Sequence, residues 1–474
     1  MSSALAAELP RVDATALAQA IRSRSLTAVE VVAAHFERIK SVNHRFNALV
    51  SLDERRALQR AREADEDLAT GKVWGPLHGV PVTIKDSFDT AGLRTTVGSW
   101  QFRDFVPMDD AWVVSRLKHA GAIIIGKTNC AKLCGDVQTT NEVFGRTRNP
   151  WDAERTAGGS SGGEAAAVAL GMSPLGIGSD TAGSIRIPAS YCGVFGLKTS
   201  LGKVGRSGLR PLHDADHRWQ DTLTVIGPIA RSLRDLLLCY EVLTGESREG
   251  IPSATGPRVH WTQEFESQVV DDQVSATMSA TFSALVAKGV DVAKVPSPIP
   301  FGKLLEQYAR LCLFEFTPKE NGKALYYLFW LSEAVRSMFR GGTTREYGRL
   351  KQFQADLSSN VRVFMDECDC WVLPATPSVA FSHCRVGWPV RLTANGRSKC
   401  YGYWAASMGF TFPFNMTGNP SVVMPIGTNK EGLPIAMQIV GKQGEDLKLL
   451  ASAAYVAEKL GSRASAERAR EPPP

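Results

Sequence analysis

Thirteen of the 42 glycines fall between positions 158 and 208, where even spacing would place about four or five. The densest part reads Gly158-Gly159-Ser160-Ser161-Gly162-Gly163-Glu164, followed by Gly178-Ser179-Asp180-Thr181-Ala182-Gly183-Ser184-Ile185-Arg186-Ile187-Pro188. A run so poor in Cβ atoms cannot supply the apolar face of an ordinary amphipathic element. Its use is positive φ and close approach of backbone to other groups. Two such loops, joined by a small-residue helix and a strand, can gather hydroxyls and backbone N–H groups around one point.

The flanking sequence says what those loops are mounted on. Two helices open the chain, the second with a capping box, Thr27-x-x-Glu30, and apolar residues Val29, Val32, Ala33, Phe36 and Ile39 at helical spacing. Glu54 to Leu68 reads as a further amphipathic helix. Thereafter short apolar runs alternate with helical stretches. Strands are expected at Gly79 to Ile84, Ala122 to Ile125 and Pro174 to Gly178, and helices at Trp112 to His119 and Gly163 to Leu170. Strands return at Cys370 to Leu373, Ser421 to Ile426 and Ile435 to Val440. This alternation predicts an α/β fold, a large mixed β-sheet sandwiched by helices. Ligands in such folds gather at strand carboxyl ends, where this reading places Lys85 and Asp180.

One domain over 1–474 is expected, with its core at about 70–240 and sheet re-entry at about 368–442. Between them, about 300–365, lies an embedded helical insertion rich in aromatics, including Tyr326, Phe329 and Trp330. The tail from Ser462 is charged, ends in prolines and is expected to fray.

Composition removes several function classes. The net charge of +6 arises from 54 basic and 48 acidic residues with no basic block, which argues against a dedicated nucleic-acid binder. Nine scattered cysteines form neither a disulfide framework nor a CxxC zinc pattern, so no metal or cofactor is expected. The longest apolar run, Ala324 to Leu331, is far short of the roughly 20 residues of a membrane span. The first residues lack the basic and apolar parts of a signal peptide. A cytoplasmic protein with reduced thiols is expected, as a monomer or homodimer.

Single short patterns mislead here. No Lys follows the glycines as a phosphate loop requires. Gly159-x-Ser161-x-Gly163 has the nucleophile-elbow spacing, but polar residues and Pro150 precede it where a strand is needed. Ser200-x-x-Lys203 lies in a Gly-rich loop, without the S-D-N triplet of penicillin-recognising enzymes. Each residue alone has a bland reading: a strand-end lysine is usually solvated, and paired serines between glycines are usually just a loop. Their joint order and spacing carry the signal. Gly158 to Ser200 resembles the stretch that names the amidase signature family. His78-Gly79-Val80-Pro81-Val82-Thr83-Ile84-Lys85-Asp86, Gly126-Lys127-Thr128-Asn129, Arg148-Asn149-Pro150-Trp151 and Phe412-Pro413-Phe414-Asn415 to Pro425 resemble other blocks of that family. The likeness extends from about residue 10 to 460 and is weakest from Gly245 to Lys399.

The resemblance implies a Ser–cis-Ser–Lys triad of Ser184 as nucleophile, Ser160 as bridging cis-peptide serine and Lys85 as base. A serine hydroxyl needs a base, and a lysine of ordinary pKa ~10.4 serves only when neutral, a state that burial without a carboxylate partner favours. Backbone N–H groups of Thr181, Ala182, Gly183 and Ser184 would hold the oxyanion. Many relatives have Gly-Gly-Ser there, and this chain has Ala182-Gly183-Ser184. Ser161 and a structural Asp180–Arg186 ion pair would brace the loops. Cys134, Gly135, Asp136 and Val137 would line the acyl pocket, with Tyr326, Phe329 and Trp330 as another wall. No dedicated carboxylate clamp is evident, although Arg94 and Arg206 remain open. The implied reaction is hydrolysis of a neutral, apolar or aryl amide through an acyl-enzyme, extending to carbamates (urethanes) and esters. Two alternatives are an amidotransferase A-type subunit that works in a complex and a non-catalytic binding module.

Overall fold

Apolar runs bounded by glycine and proline fold into strands, and runs with helical spacing and caps pack across them. The computed structural model describes residues 8–211, 221–249, 256–266, 268–301, 304–316 and 344–461. In chain order the strands begin with β1 (Leu49–Leu52), β2 (Pro81–Lys85), β3 (Ile123–Thr128), β4 (Thr140–Asn141) and β5 (Gly145–Arg146). They continue with β6 (Leu175–Asp180), β7 (Phe195–Lys198), β8 (Val225–Ala230), β9 (Val259–Trp261) and β10 (Val292–Lys294). The last are β11 (Cys370–Pro374), β12 (Val390–Ala394), β13 (Arg397–Tyr401), β14 (Ser421–Thr428) and β15 (Pro434–Val440).

Eleven of these strands form one mixed sheet in the order β1-β3-β2-β6-β8-β7-β14-β15-β11-β9-β10. Parallel pairing joins β3 to β2 and β2 to β6, and β11 to β9 and β9 to β10, whereas the pairs from β6 through β8, β7, β14 and β15 to β11 are antiparallel. β2 and β6 run side by side in register Thr83↔Gly176 and Ile84↔Ile177. Their carboxyl ends, Lys85 and Asp180, therefore reach the same edge of the sheet.

The capping box forms in full: Thr27 Oγ1 accepts from Glu30 N (3.1 Å) and Glu30 Oε2 from Thr27 N (2.9 Å) at the start of helix Ala28–Phe46. Its buried Val32, Phe36 and Ile39 join a core with Val82, Ile84, Ile125 and Ile177 from the sheet. β3 runs three residues past its expected end, because Lys127 and Thr128 pair with Ile84 and Lys85. β7 and β8 carry Gly196, Gly227 and Pro228, which hide them from a search for apolar runs. Gly227 lies against the Leu197 carbonyl, where no Cβ fits.

Of the aromatic insertion, helices Leu305–Phe316 and Thr344–Asp366 are described and pack together, joined by Arg310–Glu346 (3.0 Å). Their Tyr308, Leu350 and Leu357 enter a second core with Ile187, Tyr191, Trp371, Phe410 and Phe414. Tyr326, Phe329 and Trp330 lie outside the described residues, as does the tail from Ser462. Among the described residues no helix is long and apolar enough to cross a membrane.

Candidate active site

Lys85 ends β2 fully buried, and its side chain turns to hydroxyls instead of water. Lys85 Nζ donates to Ser160 Oγ (2.7 Å) and to Ser179 Oγ (2.9 Å). Among the described residues no carboxylate accepts a hydrogen bond from it. Ser160 follows a cis Gly159–Ser160 peptide and is itself fully buried. Ser161, next in sequence, ties the two glycine loops together: its N–H donates to the Ser184 carbonyl (3.2 Å). Ser184 is partly exposed, which leaves it open to a substrate.

The serine loop is clamped from outside. Thr139 Oγ1 donates to Gly158 O (2.9 Å) and accepts from Gly162 N (2.9 Å). A Cβ on Gly159 would sit 2.7 Å from Asp136 O and 2.8 Å from Val137 C. Only glycine permits residues 136–138 to press so closely on the loop.

The nucleophile loop folds around Asp180. Its carboxylate accepts from Gly183 N (2.8 Å) and Ile185 N (3.1 Å), and pairs with Arg186 through Nε (3.0 Å) and Nη2 (2.9 Å). Both side chains are fully buried. Burial alone would raise the Asp180 pKa, but the charge and hydrogen bonds of Arg186 outweigh it and hold the carboxyl well below the usual range. The Gly183 N–H, one of four expected at the oxyanion hole, is thus directed at Asp180. The N–H groups of Thr181, Ala182 and Ser184 remain as the expected donors.

Several positioning groups carry no local sequence signal. Asn415 Nδ2 donates to Asp180 O (2.9 Å), and its Oδ1 accepts from Arg186 Nη2 (2.6 Å). Thr411 Oγ1 donates to Ala182 O (2.5 Å), and Tyr308 OH to Thr181 O (3.1 Å). Asn415 sits in a block that resembles the family, and that is its only signal. Ser179 is hidden as one more serine among glycines.

The segment beside the serines divides its roles. Val137 is buried in the second core beside Ile187 and Tyr191. Asp136 is buried, with its carboxyl held by Tyr403 OH (2.6 Å); desolvation pushes its pKa up to about 6. Gly135 N closes a turn onto Lys132 O (3.0 Å). Cys134 is partly exposed. Arg206 is paired with Asp221 (2.6 Å), and Arg94 lies over the Phe144 ring (5.0 Å). A separate cavity of about 480 Å³, lined by Arg146, His383, Cys384, Arg385 and Trp388, lies beyond Gln138, which donates to Cys384 O (2.9 Å).

A buried lysine on two serine hydroxyls, beside a loop that presents a third serine, is an arrangement suited to serine-based acyl transfer. The family is identified by comparison. A family model described as Amidase matches residues 30–450. The A subunit of the glutamyl-tRNA(Gln) amidotransferase of Carboxydothermus hydrogenoformans is 31% identical, over 94% of this chain and 96% of its own. A solved amidase superposes with TM-score 0.82 at 30% identity, over 95% of this chain and 100% of that one. A 6-aminohexanoate cyclic dimer hydrolase superposes with TM-score 0.78 at 27% identity, over 98% of this chain and 99% of that one. The chain belongs to the amidase signature family and shares its amidohydrolase fold.

Proposed function

We propose that this protein hydrolyses a small neutral amide through a serine acyl-enzyme, with Ser184 as nucleophile, Ser160 as proton bridge and Lys85 as base. The observation that carries the reading is the 2.7 Å contact between Lys85 Nζ and Ser160 Oγ at the mouth of the Ser184 loop. Neutral Lys85 takes the Ser160 proton as Ser160 takes that of Ser184, and Ser184 Oγ adds to the amide carbonyl. The oxyanion faces the N–H groups of Thr181, Ala182 and Ser184, where each donor is worth about 3 kcal/mol. The proton returns through Ser160 to the leaving amine, and water then releases the acyl group.

An apolar acyl group suits the wall that includes Val137. Arg206 and Arg94 are engaged elsewhere, so neither offers a ready clamp for a substrate carboxylate. Carbamates and esters are included in the same chemistry. The whole chain acts as one catalytic unit in this reading, in the cytoplasm, as a monomer or homodimer.

The curated relatives favour a second reading. They are named as the A subunit of glutamyl-tRNA(Gln) amidotransferase, which would make this chain a glutamine-hydrolysing component that works with partner proteins.

One panel separates the readings. The purified chain is offered arylamides, primary amides, carbamates, esters and L-glutamine. Hydrolysis of arylamides or primary amides by the chain alone, lost by at least a hundredfold in Ser184→Ala and Lys85→Ala, supports the first. Turnover confined to L-glutamine supports the second. A fluorophosphonate probe that labels neither wild type nor Ser184→Ala would overturn the nucleophile assignment and leave a binding module.

A further inference from the structure

Two elements meet at the cavity of about 480 Å³ beyond Gln138, and they line it with basic and aromatic side chains but no acid. Arg146 comes from the β4–β5 hairpin, where it pairs with Thr140. His383, Cys384, Arg385 and Trp388 come from the loop between β11 and β12. That loop is fixed from two sides. Gln138 Nε2 donates to Cys384 O (2.9 Å), and its Oε1 accepts from Cys384 N (3.2 Å). His383 N donates to Glu154 O (3.2 Å), and Arg155 Nη1 to Ala380 O (2.8 Å). The cavity is therefore preformed, and its size falls in the range of roughly 300–1,000 Å³ typical of small-molecule sites.

The positive charge there is uncompensated. Arg146 and Arg385 are exposed, and among the described residues neither guanidinium meets a carboxylate. Asp152, the acid felt by His383, is taken by Arg155 (3.1 Å). Arg385 and Trp388 stand at the two ends of a β-turn closed by Trp388 N on Arg385 O (3.0 Å), with Gly387 supplying a left-handed φ of 80° at its third position. The turn sets the Arg385 guanidinium 5.4 Å from the centroid of the indole. Trp388 is still 56% exposed, so much of its ring stays open to a ligand. Both ring nitrogens of His383 are buried, and neither has a hydrogen-bond partner. Burial, and then the charges of Arg146 and Arg148, hold this imidazole down at about 4, so at neutral pH it adds polarity to the wall without charge.

We propose that this cavity binds a small organic anion, a planar ring bearing a carboxylate or a phosphate, with Arg146 and Arg385 on the oxyanion and Trp388 against the ring. Guanidinium forks match either oxyanion in bidentate geometry. An inorganic anion alone would leave the open indole unused, whereas an aromatic ring stacks on it and is covered from water. Hydroxyls and backbone N–H groups make up the proposed hydrolytic site, which suits a neutral amide; this cavity offers paired positive charge instead. Binding here involves no step of hydrolysis, so the proposal stands or falls apart from the role of Ser184.

Calorimetric titration of the full chain tests it, with phenyl phosphate, benzoate and inorganic phosphate as the probes. Expected is saturable one-to-one binding of phenyl phosphate or benzoate, and the tighter of the two tells which oxyanion the site takes. Added sodium chloride weakens that binding. Arg146→Gln and Arg385→Gln each raise Kd at least tenfold, and Ser184→Ala leaves it unchanged. Trp388→Ala brings phenyl phosphate down to the affinity of inorganic phosphate. All three cavity residues are exposed, so these variants keep the unfolding midpoint of the wild type, and a loss of binding is a loss of the site. Binding that survives both arginine variants overturns the proposal, as does the absence of saturable binding at millimolar concentration. Equal affinity of the wild type for phenyl phosphate and inorganic phosphate overturns the place given to the ring.

Discussion

Among the described residues three lysines are fully buried, and their surroundings separate them. Lys127 donates to Phe88 O (2.5 Å) and Thr95 Oγ1 (2.7 Å), and Lys198 to Thr199 O (3.1 Å) and Asn419 O (2.7 Å). Lys85 alone among the three meets two serine hydroxyls. Ser179 is the second of these and holds the amine in line with Ser160 without being part of the proton route. Removing one hydrogen bond to a charged or partly charged group is worth about 1.5–3 kcal/mol. Ser179→Ala is therefore expected to lower kcat about tenfold or more while KM stays within about twofold, read from steady-state rates on an active arylamide. An equal rise in KM with kcat intact would place Ser179 in substrate binding instead. From sequence, all three lysines lie in stretches that resemble the family, and Lys85 is separable only because His78 to Asp86 resembles the block that carries the family's catalytic lysine; burial on hydroxyls is a tertiary fact.

The elements that hold the site owe their form to where side chains are missing. Ala on Gly159 would put its Cβ 2.7 Å from Asp136 O, a backbone atom that cannot swing aside. Gly348 lies within helix Thr344–Asp366 with nothing within 4 Å of an added Cβ. The same substitution should act with opposite sign at the two places. Gly159→Ala is expected to lower stability by about 1–3 kcal/mol through overpacking and to abolish turnover. Gly348→Ala is expected to raise stability by roughly 0.5–1 kcal/mol through helix propensity and leave turnover alone. Denaturant midpoints at constant slope test both. Strands with plain apolar runs, such as β2 and β15, are legible within one or two residues. Those where glycine or proline serves a close crossing, β7 and β8, are not, because the reason for the glycine lies on the neighbouring strand. In the hairpin β12–β13, exposed Arg397, Ser398, Lys399 and Cys400 leave β13 little apolar pattern to read, whereas β12 alternates buried Val390, Leu392 and Ala394 with exposed Arg391 and Thr393.

Across the whole molecule, buried ionisable groups pull stability in opposite directions with pH. Glu164 is fully buried under β2, bonded by Thr83 and by Thr128 Oγ1 (2.8 Å), and desolvation pushes its pKa up to about 7. A raised carboxyl favours the fold below its unfolded pKa of ~4.3 and loses that contribution as pH climbs through 7. His35 is buried in helix Ala28–Phe46 with its Nδ1 on Val31 O (2.8 Å), and desolvation lowers it to about 4. Its unfolded form binds a proton at pH 5 and its folded form does not, so its contribution grows as pH rises from 4 towards ~6.5. Over the acid side the two partly cancel, and the wild-type profile hides both. Single variants expose them. Between pH 5 and pH 8, Glu164→Gln should gain about 2 kcal/mol of stability relative to wild type, and His35→Leu should lose about 2 kcal/mol relative to it. Urea unfolding of the three proteins at both pH values is the measurement. Parallel shifts of the two variants would mean that the buried charges do not set the slope. A flat difference for Glu164→Gln alone would mean that Glu164 stays ionised in the fold, sustained by the nearby charges of Lys85 and Lys127.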